Sequence, residues 1–142
     1  MKKLTILRGC PGAGKSRYAR DFPEALVVSP DNYRYKGDRY VYIHNDPMPF
    51  EKSQEAVDAA LKDSSFQHVI VDSTNINEKS FKPYIRGKVD VNVVTIVPES
   101  AMVAFKRCLH GVPYPTVYRM YHEALMSHPL NYAHEFKYWY EV

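Results

Sequence analysis

Four short apolar runs punctuate the first hundred positions, each bounded by glycine, proline or a charged residue. They are Lys3-Leu-Thr-Ile-Leu-Arg8, Ala25-Leu-Val-Val-Ser29, His68-Val-Ile-Val-Asp72 and Val91-Asn-Val-Val-Thr-Ile-Val97. Near-continuous apolar runs of this length read as strands buried on both faces, because a half-solvated strand would alternate. Between them the apolar spacing turns helical. Lys15 to Phe22 predicts a short helix stopped by Pro23. Asp46-Pro47 reads as a helix start, with Asp as N-cap and Pro at the first position. Phe50, Ala56, Val57, Ala60 and Leu61 then form one helical face. Asn77 with Glu78 starts another short helix toward Arg86, and two more are expected over Glu99–His110 and Pro115–Ser127. The aromatic end, Tyr132, Phe136, Tyr138, Trp139 and Tyr140, reads as a packed tail. Strands separated by helices imply right-handed crossovers and an α/β fold, a parallel sheet with helices on its faces. With no repeat, low-complexity tract or linker, residues 1–142 read as a single domain.

Composition narrows the classes. The chain has 142 residues, 45% apolar and 25% charged, which excludes a disordered chain, collagen and a coiled coil. No run approaches the ~20 apolar residues of a membrane span, and Lys15, Arg17 and Arg20 break any signal-peptide core. The length leaves no room for a second catalytic domain. A net charge of +3 permits a phosphate-rich partner without demanding one. Two cysteines are too few for a disulfide framework, so a cytoplasmic location is expected. Aromatic residues reach 13%, with twelve tyrosines, which fill cores or stack on bases.

The chemistry gathers at the carboxyl ends of the predicted strands, where parallel sheets bind ligands. Gly9-Cys-Pro-Gly-Ala-Gly-Lys-Ser16 fits G-x-x-x-x-G-K-[ST] in full, between a strand and a helix. Gly9, Gly12, Ala13 and Gly14 would let the backbone wrap a phosphate, with N–H groups pointing inward. The helix N-terminus would add positive potential. Lys15 would reach the β- and γ-phosphates of ATP, and Ser16 would ligate Mg²⁺. Cys10 is a variable position of this loop, without a redox role.

After the second strand, Asp31 is placed to accept a proton from a hydroxyl during phosphoryl transfer. Arg34 shares its face in a helical turn and suits an acceptor phosphate. The alternative is a capped turn beside a solvated arginine. Asp72 ends its strand in the Walker-B manner and would hold a Mg²⁺-bound water. Thr74 and Asn75 would bond a phosphate or base, or simply cap a turn. Arg107 and His110 precede Gly111-Val-Pro113, and Arg119 lies on the next helix. A loop here, approximately residues 107–118, would close over ATP, with Arg107 balancing charge. Arg119 also reads as surface charge, and His110 as a helix C-cap cation. Residues 33–42 interleave Tyr33, Tyr35, Tyr40 and Tyr42 with Arg34, Lys36 and Arg39. Single-stranded nucleic acid is held by such stacking and phosphate contacts; the alternative is a hairpin packed on the domain.

In this order the segments resemble the polynucleotide 5′-hydroxyl kinases. They are similar to the kinase domain of the phage end-healing kinase-phosphatases and to a related animal group that binds a ubiquitin ligase. The resemblance spans roughly residues 3–125. It rests on Gly9–Ser16, Asp31-Asn-Tyr-Arg34, Val69-Ile-Val-Asp-Ser-Thr-Asn75 and Arg107-Cys-Leu-His-Gly-Val-Pro113, continuing to Arg119-Met120. It implies a P-loop kinase-type sheet with a helical lid. It also implies ATP and Mg²⁺ handled by Lys15 and Ser16, Asp31 as general base, Arg34 on the acceptor phosphate and Arg107 as lid arginine. The substrate would be a 5′-OH end of DNA or RNA, in nucleic acid repair, in the host cytoplasm for a phage protein. Two positions depart from the phage pattern: Ser73 stands where an Asp precedes the Thr, and His110 where the lid has a second arginine. The phosphatase motif D-x-D-x-[TV] is absent. A P-loop kinase of a small molecule or modified DNA base, and a non-catalytic nucleotide-binding module, remain the competing readings.

Overall fold

A computed structural model describes residues 1–141. Its main sheet has five strands: β1 (Lys3–Arg8), β2 (Leu26–Val28), β5 (His68–Asp72), β6 (Asp90–Val97) and β7 (Ala133–Tyr138). They lie in the order β2-β5-β1-β6-β7, and every neighbouring pair is parallel. The first strand is therefore the central one. The crossovers carry α1 (Lys15–Ala19), α2 (Met48–Lys62), α3 (Glu78–Phe81), α4 (Ala101–Arg107) and α5 (Tyr114–Met126). A two-stranded antiparallel hairpin, β3 (Tyr35–Lys36) and β4 (Arg39–Tyr40), projects between β2 and α2. No helix among the described residues is long and apolar enough to cross a membrane.

Alternation along each strand divides the core in two. Leu4, Ile6, Val69, Val71 and Val93 pack with Val57, Phe81 and Tyr84 on one face. Leu7, Ile70, Val94 and Ile96 pack with Ala19, Ala104 and Val117 on the other. Both faces being covered explains why the strands read as continuous apolar runs.

Five expectations change. The aromatic tail is a fifth strand, paired with β6 from Asn92↔Ala133 to Val97↔Tyr138. It alternates partly buried and exposed positions because it forms an edge. α1 ends at Ala19, with single turns carrying the chain on to Ala25. α2 takes Pro47 rather than Asp46 as its cap residue, although the Asp46 carboxylate still accepts from the Met48 N–H. Its buried face is Pro49, Ser53, Val57 and Ala60, while Phe50 is exposed. α4 ends at Arg107, so His110 lies in a loop and caps nothing.

Arg8 ends the central strand and is 1% exposed. Its Nε donates to Ile76 O at 2.8 Å, and Nη1 donates to Thr95 Oγ1, Ala124 O and Ser127 O at 3.0–3.1 Å. Nη2 donates to Ser127 Oγ at 2.9 Å. The guanidinium so ties β1, β6 and the loop after β5 to the carbonyls that end α5, which lack helical partners. Thr95 continues the chain of bonds outward. Its hydroxyl accepts from Arg8 and also shares a hydrogen bond with His134 Nε2 at 2.7 Å. Burial, His128 and Arg8 push His134 down to about 4.

Two measurements check this anchor. Arg8→Met should lower urea-unfolding stability by about 3 kcal/mol, because several buried acceptors lose their donor at once. His134 is neutral in the fold, so its contribution is intact above its ordinary value of 6.5 and fades as pH falls toward about 4. His68, pulled down mainly by burial, acts in the same direction. His134→Gln should therefore flatten the acid loss of stability across that window relative to the wild type.

Candidate active site

The loops after β1, β2 and β5 open on one edge of the sheet, joined there by the segment between α4 and α5. They line a cleft of about 970 Å³. An adjoining pocket of about 630 Å³ runs along the β2 edge past Phe22, Val27 and Tyr35. Asp31, Asp72, Ser16 and His110 border both.

Residues 9–16 wrap the floor of the cleft. Gly14 holds φ +108°, a left-handed conformation that turns the chain into α1. Gly12 has a packing reason as well: a Cβ there would stand 1.9 Å from the Ala104 carbonyl oxygen. The loop thus lies directly against α4, the helix that leads into the loop before α5. α1 is only five residues long, so any anion held on this floor would depend on the loop's free N–H groups more than on a helix terminus. The Lys15 side chain is buried, and its ammonium donates to Gly9 O and Cys10 O at 3.2 and 2.8 Å. Burial lowers its pKa, while Asp72, Cys10 and Asp31 act to raise it. Both carboxylates therefore lie within electrostatic reach of the lysine. Burial pushes the Cys10 thiol up to about 11, which keeps it inert.

Ser16 Oγ donates to Asp72 Oδ2 at 2.7 Å across the cleft. Two hard oxygens facing each other beside the 9–16 loop would suit a divalent cation that takes its remaining ligands from water and phosphate. Among the described residues no group of three or more His, Cys, Asp or Glu could hold a metal unaided.

Asp31 sits in a 3₁₀ turn, Pro30–Tyr33, directly after β2. Arg34 follows with its side chain 7% exposed and its Nε 3.3 Å from Asp31 Oδ1. That Nε is buried but not aligned for a hydrogen bond. The guanidinium carbon lies 4.9 Å from the Tyr42 ring centre and 5.5 Å from that of Phe50. Two aromatic faces thus position a buried cation at the cleft wall. Phe50, assigned by periodicity to the core face, serves here instead. Of the interleaved tyrosines, Tyr35 and Tyr40 lie in the β3–β4 hairpin, and Tyr40 and Tyr42 line the cleft, while Tyr33 ends the 3₁₀ turn and lines neither cavity. Tyr40 donates to Asp31 Oδ1 at 3.1 Å and stacks on His110, while Tyr42 covers Arg34.

The remaining expected residues divide. Thr74 lines the cleft, and its carbonyl accepts from the Gly9 N–H at 2.9 Å. Asn75 does not line it. It is 3% exposed, holds φ +45°, and its amide donates to Leu7 O at 2.8 Å. Asn75 therefore ties the loop after β5 to the central strand and is not presented to a ligand. Arg107 lines the cleft but is ion-paired with Glu99, and Arg119 is paired with Glu123 at 3.3 Å. Sequence reasoning missed Tyr40 as a partner of Asp31, Phe50 beneath Arg34, Glu99 on Arg107, and Trp139, which lines the cleft beyond β7. The tyrosine-rich run did mark the neighbourhood of the first; no local signal marked the others.

No family model matches the chain. Human NEDD4-binding protein 2 is 32% identical over 87 residues, a stretch that is 58% of this chain and 5% of that protein. Among solved structures, a chain of the Pnkp1/Rnl/Hen1 RNA repair complex superposes with a TM-score of 0.70 at 24% identity, covering 88% of this chain and 44% of the other. A fungal RNA kinase gives a TM-score of 0.57 at 13% identity over 96% and 73%. A sugar kinase from Janibacter sp. HTCC2649 gives 0.60 at 10% identity over 97% and 86%. This chain spans less than half the length of the first two proteins it matches here. The five-stranded parallel sheet and its flanking helices give this chain the P-loop kinase fold that these structures share.

Proposed function

We propose that the protein is an ATP-dependent polynucleotide 5′-hydroxyl kinase, moving the γ-phosphate to the 5′-OH end of DNA or RNA. One observation carries this reading. A phosphate loop and a neighbouring Asp–Arg pair, Asp31 with Arg34, open into the same cleft. The repair-complex chain and the fungal RNA kinase share the fold around that cleft.

The donor phosphates would lie in the 9–16 loop, where Lys15 exchanges its loop carbonyls for phosphate oxygens. Ser16 would hold Mg²⁺ directly and Asp72 through a water. Bound there, the ion would neutralise charge that builds on the β- and γ-oxygens. Asp31 would accept the acceptor's hydroxyl proton. Arg34, buried between Tyr42 and Phe50, would grip an acceptor phosphate with the edge of its guanidinium. Thr74 lines the same wall and would contact the acceptor. Arg107 would leave Glu99 for the transferring phosphate as the lid settles.

The sugar-kinase likeness, over 97% of this chain, favours a second reading in which the acceptor is a small hydroxylated molecule. Labelled ATP offered with 5′-OH oligonucleotides, 5′-phosphate oligonucleotides, nucleosides and sugars separates the two. Label on the 5′-OH oligonucleotide alone is expected; label on a nucleoside or sugar but not on strand ends selects the second reading.

Asp31→Asn should lower transfer at least about a hundredfold while ATP binding, measured calorimetrically, stays near wild type, because a base acts on the acceptor alone. Near-normal kcat in that variant would remove Asp31 from the role. Arg34→Ala should raise the acceptor KM about tenfold or more and leave the ATP KM in place, with Arg34→Lys recovering only part.

A further inference from the structure

Two donors converge on a single oxygen of Asp31. The Tyr40 hydroxyl donates to Oδ1 at 3.1 Å, and Arg34 Nε lies 3.3 Å from the same atom. Among the described residues no group bonds Oδ2. The two donors are not equivalent, because Arg34 Nε is misaligned and makes no hydrogen bond. The directional contact on this carboxylate is therefore the phenol.

The phenol is itself held on two sides. Its ring stacks on His110 with centroids 3.7 Å apart and planes 14° apart. It meets Tyr35 of β3 edge-on at 5.5 Å. Tyr40 belongs to the hairpin beside β2, and His110 to the loop between α4 and α5. The stack thus joins the acceptor side of the cleft to the lid segment directly over Asp31. Burial, the Asp31 charge and the bond to it push the Tyr40 hydroxyl up to about 12, so it remains a donor at neutral pH.

We propose that Tyr40 is the positioning residue of Asp31, and that His110 seats Tyr40 in that position. The proposal rests on the reading of Asp31 as general base. During transfer the acceptor oxygen bonds to the γ-phosphorus as its proton passes to Asp31 Oδ2. The bond from that phosphorus to the β–γ bridging oxygen breaks and ADP leaves. Tyr40 exchanges no proton. It occupies Oδ1 and fixes the rotation of the carboxylate, so that Oδ2 is the oxygen that takes the proton. A base free to rotate loses the alignment on which transfer depends.

Single-turnover transfer from labelled ATP to a 5′-OH oligonucleotide tests this with Tyr40→Phe, His110→Ala, the double variant and Asp31→Asn. The phenylalanine keeps the ring, its stack and the hairpin and removes only the hydroxyl. Tyr40→Phe should slow transfer about tenfold or more while half-saturating ATP and oligonucleotide stay within about twofold of wild type. His110→Ala should slow it by a smaller factor. The double variant should be no slower than Tyr40→Phe alone, since both act through one hydroxyl. A merely structural Tyr40 predicts wild-type rates for phenylalanine. Such rates, beside an inactive Asp31→Asn, overturn the positioning role and leave the base reading standing. An active Asp31→Asn overturns the base reading and this proposal with it. A double variant whose losses multiply removes His110 from the seat.

Discussion

The charge of Arg8 is buried at the end of the central strand, one residue before the phosphate loop begins. Moving a guanidinium out of water costs several kcal/mol. Here bonds to three carbonyls and two hydroxyls, drawn from three other parts of the fold, offset that cost. Few arrangements satisfy so many donors at once, so this one side chain fixes where α5, β6 and the loop after β5 stand relative to Gly9. The floor of the cleft inherits that precision. Asn75 and Thr74 reinforce it from the opposite side, one by its amide on Leu7, the other by its carbonyl on Gly9.

From this floor the site is built by close approach. Gly12 lets the phosphate loop touch the α4 backbone, so the helix leading into the proposed lid rests on the loop it would cover. On the other side the 3₁₀ turn after β2 presents Asp31, and the hairpin folds Tyr40 and Tyr42 back over Asp31 and Arg34. The proposed donor and acceptor surfaces are thus adjacent parts of one edge, carried by elements that already touch.

What the sequence made legible follows from how local each cause is. The 9–16 loop is written in eight consecutive residues, and its glycines and lysine admit few other uses. Asp31 and Asp72 were placed by the rule that strand ends meet at one edge. The parallel sheet followed from apolar runs separated by helical spacing. The missed features have causes elsewhere in the chain. Arg8 looked like an ordinary strand-ending charge, because its partners lie 68 to 119 residues away. β7 looked like an aromatic tail, because an edge strand keeps one side wet and its partner β6 appears only on folding. Asn75 had two chemically reasonable uses, and only the nearness of Leu7 decided between them. Phe50 sat at the right helical spacing for the core, but the chain turned that end of α2 toward Arg34.

β1 is at once the first strand of the chain and the middle strand of the sheet. A polypeptide emerging in order therefore makes its centre first and its flanks afterwards. β2 cannot settle beside β1, because that place belongs to β5, so it must wait until residues 68–72 have been made. Arg8 meets its helix carbonyls only once residue 127 exists, and β6 remains an open edge until β7 arrives. The phosphate loop is complete by residue 16, yet everything that holds it in shape is synthesised later. A nascent chain can thus carry the whole loop motif well before the elements that hold it in shape exist.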